Sequence, residues 1–390
     1  MHVHLRFGAV CQIHEACNTL IVMETGSPTL NELALLLAGL EPECSSDPFR
    51  MVRNTGEWRE HALELDRLFS SFATGYAGPF TEWTRLHLSR SPMPGTVFYP
   101  FGGPDFMFAQ LLHGEADSYL LGGLESCDFP PELAGPGYWI RGVEGLKTLA
   151  DGLRHFLERS YFITSEMRQG FFPGWNGILA PLLVFLARTG HRVASADAWA
   201  LPCASGPSER PQGPAVRIAA IRQNRLKQIF YLQQNLRDDH CLPGDPFFKF
   251  AGSFGPLCVL LKSASYLLHE PDFSHLRDFI LQHGSCLVQD PSSIPYECLI
   301  RHEWSVKVHG RYQRAPKVFH QYEQPGLIEA SNHQGHGDQS LAFGFGYHTE
   351  PRMASLMVAS PRRNASRLRM AWRTAGDSQD IRVEPETMRS

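Results

Sequence analysis

The stretch TVFYPFGGPDFMFAQLLHGEADSYLLGGLES, residues 96–126, decides the fold class of this chain. It begins with the apolar run VFYPF, turns at GGPD (residues 102–105), continues in the apolar segment FMFAQLL, and ends in a second apolar run that stops at Glu125. Short apolar runs bounded by glycine and proline are typical of buried strands, and the segment between them suits a buried helix. The order strand, glycine turn, helix and strand predicts a nucleotide-binding βαβ unit.

The composition limits the class of protein and its partners. The chain has 390 residues, of which 43% are hydrophobic and 19% charged, enough apolar material for one large core or two ordinary ones. The formal net charge is −4, with 36 basic and 40 acidic residues intermixed, so no basic surface for nucleic acid is expected. No run approaches about 18 uncharged apolar residues, which argues against a membrane span. We therefore expect a globular protein whose partner is a small molecule.

The cysteines and the opening residues bear on the cellular compartment. The nine cysteines include no Cys-x-x-Cys pair, which argues against a zinc ribbon or a thioredoxin-type redox motif. The opening stretch MHVHLRFGAVCQIHEACNTLIVMETG lacks the continuous apolar core of a signal peptide. The sequence predicts a cytoplasmic location for the chain as it stands.

Three regions follow from the pattern of apolar residues. Residues 1–95 are predicted to form a helical N-terminal segment, because NELALLLAGL, WREHALELDRLFSSFATGY and FTEWTRLHL repeat apolar residues every three or four positions. Residues 96–360 are predicted to form an α/β, Rossmann-like domain with a mixed sheet, and the polar residues 361–390 a flexible C-terminal tail.

Several elements of the α/β region are expected from local patterns. AVRIAAIR and KQIFYLQQNL are separated by only a few residues, which predicts an antiparallel hairpin. GILAPLLVFLAR is nearly all apolar and ends at a glycine, so it predicts a helix buried on most sides. DFSHLRDFILQHGS predicts a helix that begins at Asp272. EWSVKVHGRY, LAFGFGYH and ASLMVAS predict extra C-terminal strands.

The glycine turn is the first candidate ligand site. Gly102 and Gly103 allow close backbone approach, and a helix that begins near Pro104 would direct free N–H groups at a ligand. Glu125 stands roughly 20 residues further on, where a Rossmann-type unit places the acid that accepts ribose hydroxyls. The motif G-x-G-x-x-G is absent, and Asp105 in the first helical turn would repel phosphate. Among ligands, the pattern fits a nucleoside-type cofactor without pyrophosphate, such as S-adenosylmethionine, better than a dinucleotide; a purely structural turn is the favoured alternative.

A second candidate site follows later strands. Lys262 and Tyr266 come after the buried run PLCVLL, at the position where open α/β sheets place ligand contacts, and Asp290 ends the strand-like CLVQD. A lysine in apolar surroundings needs a partner, and Asp290 is the obvious one. These residues are candidates for substrate binding, and a Lys262–Asp290 bridge that only stabilises the fold is the favoured alternative.

A metal site is the third candidate. The stretch SNHQGHGDQ contributes His333, His336 and Asp338, whose types and spacing could suit zinc or iron. Short His-x-x-His patterns also arise by chance in a chain with 18 histidines, so a solvated, glycine-rich loop is the favoured alternative. The nucleophile motif G-x-S-x-G and the P-loop are both absent, which argues against serine hydrolysis and phosphoryl transfer.

Several stretches together resemble a family of bacterial proteins without an assigned activity: FYPFGGPDF, YLLGGLE, LKSASYLLH, FSHLRDFILQHGSCLVQD and WSVKVHGRYQRAPKVF. The resemblance covers roughly residues 30–360, and members typically show YPFSGPDF and QDDSGIP. It implies a shared fold and no particular reaction. Because members often carry secretion or lipoprotein signals, the resemblance also implies a secreted protein or lipoprotein if the start of this chain is misassigned. This chain has Gly102 where the family pattern has serine, and QDPSSIP (residues 289–295) in place of QDDSGIP, so a site in these loops would bind differently or have lost activity.

The sequence leaves three functions open. The first is an S-adenosylmethionine-dependent, methyltransferase-like protein that uses Gly102, Gly103, Asp105 and Glu125. The second is a non-enzymatic binding or scaffold protein, and the third a metal-dependent enzyme that uses the histidine-rich loop. The aromatic residues that would engage a partner in the second case are Phe171, Phe172, Trp175, Phe343, Phe345 and Tyr347.

Overall fold

The structure of the chain is a computed structural model. It describes residues 29–41, 47–88, 93–127, 136–159, 177–201, 214–262, 264–315, 317–333 and 340–362. The predicted tail, apart from its first two residues, therefore lies outside the described part of the chain, as do residues 1–28.

A nine-stranded mixed sheet forms the centre of the molecule, in the order β3-β4-β5-β2-β1-β6-β7-β9-β8. The middle five strands are parallel, whereas the outer pairings are antiparallel. This arrangement confirms the α/β, Rossmann-like mixed sheet with extra C-terminal strands. The strands are β1 (Thr96–Tyr99), β2 (Ser118–Gly123), β3 (Arg192–Ala200), β4 (Pro214–Arg222), β5 (Arg225–Gln233), β6 (Leu257–Leu261), β7 (Gly284–Gln289), β8 (Trp304–Gly310) and β9 (Ser355–Pro361).

Helices precede the sheet and cover both of its faces. Four of them lie in the described part of the N-terminal region, and a π-helical turn, Ala73–Ala77, joins the third to the fourth. None of the helices in the described part of the chain has the length and apolar character of a membrane span. The α-helices are α1 (Leu30–Leu37), α2 (Asp47–Arg53), α3 (Gly56–Phe72), α4 (Gly78–His87), α5 (Phe106–Leu112), α6 (Pro136–Arg159), α7 (Leu179–Arg188), α8 (Pro246–Gly252), α9 (Ser274–His283), α10 (Tyr296–Arg301) and α11 (Pro325–His333).

The two faces of the sheet bury two apolar clusters. Alternate residues of β1 point to opposite faces, so Val97 and Tyr99 join the first cluster and Phe98 joins the second. The first cluster contains the N-terminal helices and α7, whose residues 179–187 are all buried. The second contains α8 and α9. A central sheet covered on both faces explains why β1 and β6 are buried at every position.

Most of the predicted elements are found, with small differences at their ends. Strands β4 and β5 form the expected antiparallel hairpin. Helix α9 begins at Ser274, after a short 3-10 turn that takes up Asp272. The stretch LAFGFGYH does not form a strand, because Gly346 adopts a positive φ of 60° and the chain turns back in an isolated bridge between Phe345 and His348.

Candidate functional site

The carboxyl ends of β1 and β6 form the topological switch point of the sheet. From β1 the chain passes to β2 on one side, and it returns later to β6 on the other side. In open α/β sheets, ligands bind in the crevice at such a point. The glycine turn follows β1 and Lys262 follows β6, so the fold places both candidate sites at this edge of the sheet.

The glycine turn satisfies its own hydrogen bonds. The N–H of Gly102 donates to the carbonyl of Tyr99 at 3.2 Å, and the N–H of Gly103 donates to the carbonyl of Gly122 at 2.9 Å. Gly103 has a φ of +53°, and a Cβ on Gly102 would lie 2.5 Å from the ring of Tyr99. Both positions therefore require glycine. The ring of Tyr99 and the carboxylate of Glu125 take up the close approach that the glycines allow, and the N–H groups of both glycines are already bonded.

Helix α5 begins at Phe106, two residues after the proline expected to open it. Asp105 is its N-cap, and the Asp105 carboxylate accepts the N–H of Phe108 at 3.2 Å. The N–H groups of Asp105 and Phe106 are bonded within the turn as well. Because these donors are occupied, the helix start is not an open anion site.

Glu125 lies directly against the glycine turn. Its side chain is buried, and Oε2 lies 3.3 Å from the point that a Cβ of Gly103 would occupy. The carboxylate also covers Gly123, where a Cβ would overlap Oε2. The hydroxyl of Tyr231 donates to the Glu125 carbonyl at 2.8 Å and approaches Oε2 at 3.4 Å. The structure thus brings Gly103 and Glu125 together at the ends of adjacent parallel strands.

Lys262 is buried near two carboxylates. The nearer belongs to Asp105, whereas the sequence predicted Asp290 as the partner. Its Nζ lies 3.7 Å from Oδ2 of Asp105 and 3.2 Å from the centre of the Phe108 ring. Burial lowers the pKa of Lys262 to about 8, although the charges of Asp105 and Asp290 oppose the shift. The pKa of Asp105 rises to about 6, mainly through burial. The closest ion pair is therefore Lys262 with Asp105, with Asp290 as the more distant charge.

Asp290 is fixed by the loop that follows β7. Its Oδ1 accepts the N–H of Ser292 at 2.8 Å and also the Ser292 hydroxyl. Gly346 packs so closely that a Cβ would overlap the Asp290 carboxylate. Burial raises the pKa of Asp290 to about 6, against hydrogen bonds from Ser292 and the amide of Tyr347. The loop and the glycine hold this carboxylate in one position.

Tyr266 belongs to a separate cluster of rings beyond β6. It lies in the 3-10 turn Ser265–His269, with its ring centre 6.0 Å from that of Tyr322 and 6.3 Å from that of Tyr347. The hydroxyl of Tyr347 accepts the N–H of Ala264 at 2.8 Å, which stabilises the left-handed φ of 53° at that residue. These half-buried rings stand on the same edge of the sheet as Lys262.

The structure describes little of the proposed metal loop. His336 and Asp338 lie outside the described residues, and of His333 only its place at the end of α11 is described. Within the described ranges, no three histidine, cysteine, aspartate or glutamate side chains are arranged to hold a metal ion. The loop remains a prediction from the sequence.

The aromatic residues considered for partner binding divide into three groups. Phe343 and Phe345 are buried and pack against Phe80, so these two belong to the core. Tyr347 is half-buried. The other three, Phe171, Phe172 and Trp175, lie outside the described residues.

Sequence reasoning missed two tyrosines of the site. Tyr99, inside the quoted YPFGGPD motif, donates its hydroxyl to Asp105 at 3.3 Å, and its position next to the turn was visible. Tyr231 reaches Glu125 only because β5 pairs with β2. That pairing joins residues about 100 positions apart, so no local pattern reveals it.

Comparison with known proteins adds no relative. No family of known proteins, no curated protein and no solved structure matches this chain. The functional argument therefore depends on the geometry of the switch point.

Proposed function

We propose that the protein binds a nucleoside-type cofactor, S-adenosylmethionine above all, and is a methyltransferase-like enzyme. One observation carries the proposal: the carboxylate of Glu125 meets the backbone of Gly103 at the ends of two adjacent parallel strands. Rossmann-type sheets place the acid that accepts ribose hydroxyls at this position. The cytoplasmic location expected from the sequence suits this proposal.

The hydrogen bonding of the turn supports a ligand without phosphate. Phosphate sites use free backbone N–H groups, and residues 102–106 bond theirs internally. Asp105 adds a carboxylate at the start of α5. A cofactor that carries a sulfonium and an ammonium group suits these acidic surroundings better than a pyrophosphate does.

The strand order supports the same class of protein. Strands β5-β2-β1-β6-β7 follow the order 3-2-1-4-5 of Rossmann sheets, and the antiparallel β9 lies between β7 and β8. A shared strand order indicates only a shared fold, so the evidence for a reaction has to come from the residues of the site. The cofactor, when bound, supplies an electrophilic methyl group to a nucleophilic substrate.

Calorimetric titration of the intact chain with S-adenosylmethionine and S-adenosylhomocysteine tests the proposal. We expect saturable binding of both, and in Glu125→Gln about a tenfold loss of affinity. The amide keeps a neutral acceptor, and a hydrogen bond to a charged acceptor contributes about 1–1.5 kcal/mol more than one to a neutral acceptor. Glu115→Gln is the matched control, since Glu115 is exposed and pairs with Arg225. Gly103→Ala should also weaken binding.

Two results would remove the proposal. One is the absence of binding at high ligand concentration by the folded wild-type chain. The other is equal affinity in wild type and Glu125→Gln. Gly244→Ala controls for backbone strain in Gly103→Ala, because Gly244 has a φ of +85° and nothing lies within 4 Å of its Cβ position.

A further inference from the structure

A groove of about 500 Å³ lies between α4 and α5. Met93, which precedes β1, and residues 113–115, which precede β2, also line it, so it lies at the amino ends of these two parallel strands. The glycine turn lies at their carboxyl ends, on the opposite edge of the sheet. Small-molecule sites are typically concave, mostly apolar and about 300–1,000 Å³ in volume. The groove has the volume of such a site and is separate from the proposed cofactor site.

Apolar side chains provide a wall of the groove on which a hydrocarbon can pack. They come from the end of α4, from the segment before β1 and from α5: Leu88, Met93, Leu111 and Leu112. Leu88 and Leu112 are buried, and the other two are half-buried. A hydrocarbon that covers them removes further apolar surface from water, which is favourable. The groove therefore suits a ligand with an apolar body.

Two arginines line the groove, and only one of them is paired. Arg85 of α4 pairs with Glu82 at 2.6 Å. Arg222, the last residue of β4, is half-buried, and within the described chain its guanidinium forms neither an ion pair nor a hydrogen bond. A guanidinium is charged at neutral pH and presents its N–H donors in a planar fork that matches a carboxylate. Arg222 thus offers an unused site for an anion.

Gln110 brings a second donor to the same place. Its side chain has 7% exposure and lines the groove, and among the described residues it has no hydrogen-bond partner. Because residue 114 is glycine, Nε2 of Gln110 and Nη1 of Arg222 both face the point that a Gly114 Cβ would occupy, at 3.1 and 3.3 Å. The Gln110 carbonyl lies 3.3 Å from this point, but its partial charge is small beside the full charge of Arg222. A buried amide without a partner is costly, so a ligand oxygen that accepts from both groups would stabilise them.

The remaining charges beside the groove balance, so Arg222 determines the sign of the local charge. Glu115 and Asp117 both pair with Arg225, at 2.7 and 2.6 Å. Lys227 adds the second cation, since its Nζ donates at 2.7 Å to the carbonyl between the two acids. The local charge therefore favours an anion over a neutral or a cationic ligand.

We infer that the groove between α4 and α5 binds a carboxylate with an apolar body, such as a medium-chain fatty acid. The carboxylate accepts N–H groups of Arg222 and Gln110 beside Gly114, and the hydrocarbon covers the leucines and Met93. The site shares no residue with the glycine turn and Glu125, so it can be tested separately from the proposed cofactor site.

Titration of the intact chain with octanoate tests the inference, followed by the side-chain amide signals of protein labelled with ¹⁵N-glutamine. The Gln110 signals are identified by their loss in Gln110→Leu. We expect octanoate to shift them saturably, with and without S-adenosylhomocysteine present. Octanol, which lacks the charge, should bind about tenfold more weakly. Acetate, which lacks the hydrocarbon, should leave the signals unchanged at the same concentrations.

Two substitutions test the position of the carboxylate. Arg222→Gln should weaken octanoate binding about tenfold, whereas Arg217→Gln, which removes an exposed charge from the same strand, should leave it unchanged. Gly114→Ala should weaken it about threefold to tenfold, because the new methyl group occupies the point that both donors face. Gly56→Ala is the matched control, since nothing lies within 4 Å of a Cβ at that position.

Three results would overturn the inference. The first is the absence of a saturable shift of the Gln110 signals below the octanoate concentration at which micelles form. The second is equal affinity for octanoate and octanol. The third is unchanged octanoate binding in folded Arg222→Gln or in folded Gly114→Ala.

Discussion

Lys262 carries the most deeply buried charge among the described residues. Its side chain has 0% exposure, and its nearest carboxylate, Asp105, is buried as well. A buried charge is tolerated only when a partner compensates it, because the penalty for removing it from water is several kcal/mol. The cluster of Lys262, Asp105 and Asp290 is therefore a structural feature in its own right, whether or not a ligand binds nearby.

Replacement of the lysine should be costly. We expect Lys262→Met to lower the free energy of unfolding by about 3–5 kcal/mol, since two carboxylates lose their compensating charge. Lys307→Met, at an exposed position of β8, should change it by less than about 0.5 kcal/mol. Urea denaturation at pH 7 measures both. Equal stability of the Lys262→Met protein and wild type would show that the cluster is not held by charge.

The raised pKa of Asp105 predicts that the stability of the protein decreases as the pH rises. Burial raises its pKa from 3.8 to about 6, so the folded state holds this proton more tightly than the unfolded chain does. Its contribution to stability is complete below pH 3.8 and is lost as the pH rises through about 6. Asp105→Asn keeps a good N-cap and removes the titration.

The measurement is the difference in unfolding free energy between wild type and Asp105→Asn across this window. Wild type should lose on the order of 2–3 kcal/mol relative to the variant between pH 4.5 and 7.5. A difference that stays constant with pH would contradict the account of Asp105.

At the scale of single residues, the sequence singled out the members of the buried charge cluster but not their pairing. It placed Asp105 at the glycine turn after β1, and Lys262 and Asp290 at a second site after later strands. The sequence suggested Asp290 as the partner of Lys262, but Asp105 is closer. The spacing of β1, β6 and β7 and the turn before α5 determine which carboxylate lies nearest to Lys262. Local sequence patterns reveal neither the spacing nor the turn.

The hairpin of β4 and β5 requires a left-handed backbone conformation at both residues of its turn. Gln223 and Asn224 have φ values of 50° and 60°, as in a two-residue type I′ turn. Asparagine and glycine adopt this conformation more readily than glutamine does. The turn therefore carries strain at Gln223.

An Asn-Gly turn should relieve that strain. We expect the double substitution Gln223→Asn and Asn224→Gly to stabilise the protein by about 0.5–2 kcal/mol, measured as the midpoint and slope of urea denaturation. Asn235→Gly serves as the control, because Asn235 lacks a positive φ and its side chain accepts the N–H of Arg237. A loss of stability in the double variant would contradict the assignment of the turn.

Elements with a strong hydrophobic pattern or a short connecting loop could be predicted from the sequence. Elements whose conformation depends on contacts with distant residues could not. The short connection between the strand-like runs 215–222 and 227–236 predicted the hairpin, and the apolar run of α7 predicted a buried helix. The aromatic stretch at 341–348 looks like a strand by composition. Its glycines instead allow a turn that packs Phe343 and Phe345 against the N-terminal helices, a contact that composition cannot reveal.

On the scale of the whole molecule, one sheet separates two cores. Trp58 of α3 lies in the first cluster and donates its Nε1 to the carbonyl of Leu36, whereas Trp304 of β8 lies in the second. The first cluster contains residues of the N-terminal helices and of β1 and β2 alike. The sequence predicted that these helices exist, but not that they complete one face of the sheet.

Shared packing predicts cooperative unfolding. In protein labelled with 5-fluorotryptophan, the native ¹⁹F signals of Trp58 and Trp304 should disappear at the same urea concentration. Single-tryptophan replacements assign the signals. Loss of the Trp58 signal at clearly lower urea would show that the helical segment unfolds separately from the sheet.

The central claim is that a nucleoside-type cofactor lies on the glycine turn beside Glu125. Hydrogen exchange, followed by mass spectrometry with and without S-adenosylhomocysteine, tests the position as well as the binding. The account predicts slower exchange in peptides that cover residues 100–108 and 121–127, and no change in a peptide from β8. Binding that protects other segments and leaves these two unchanged would contradict it.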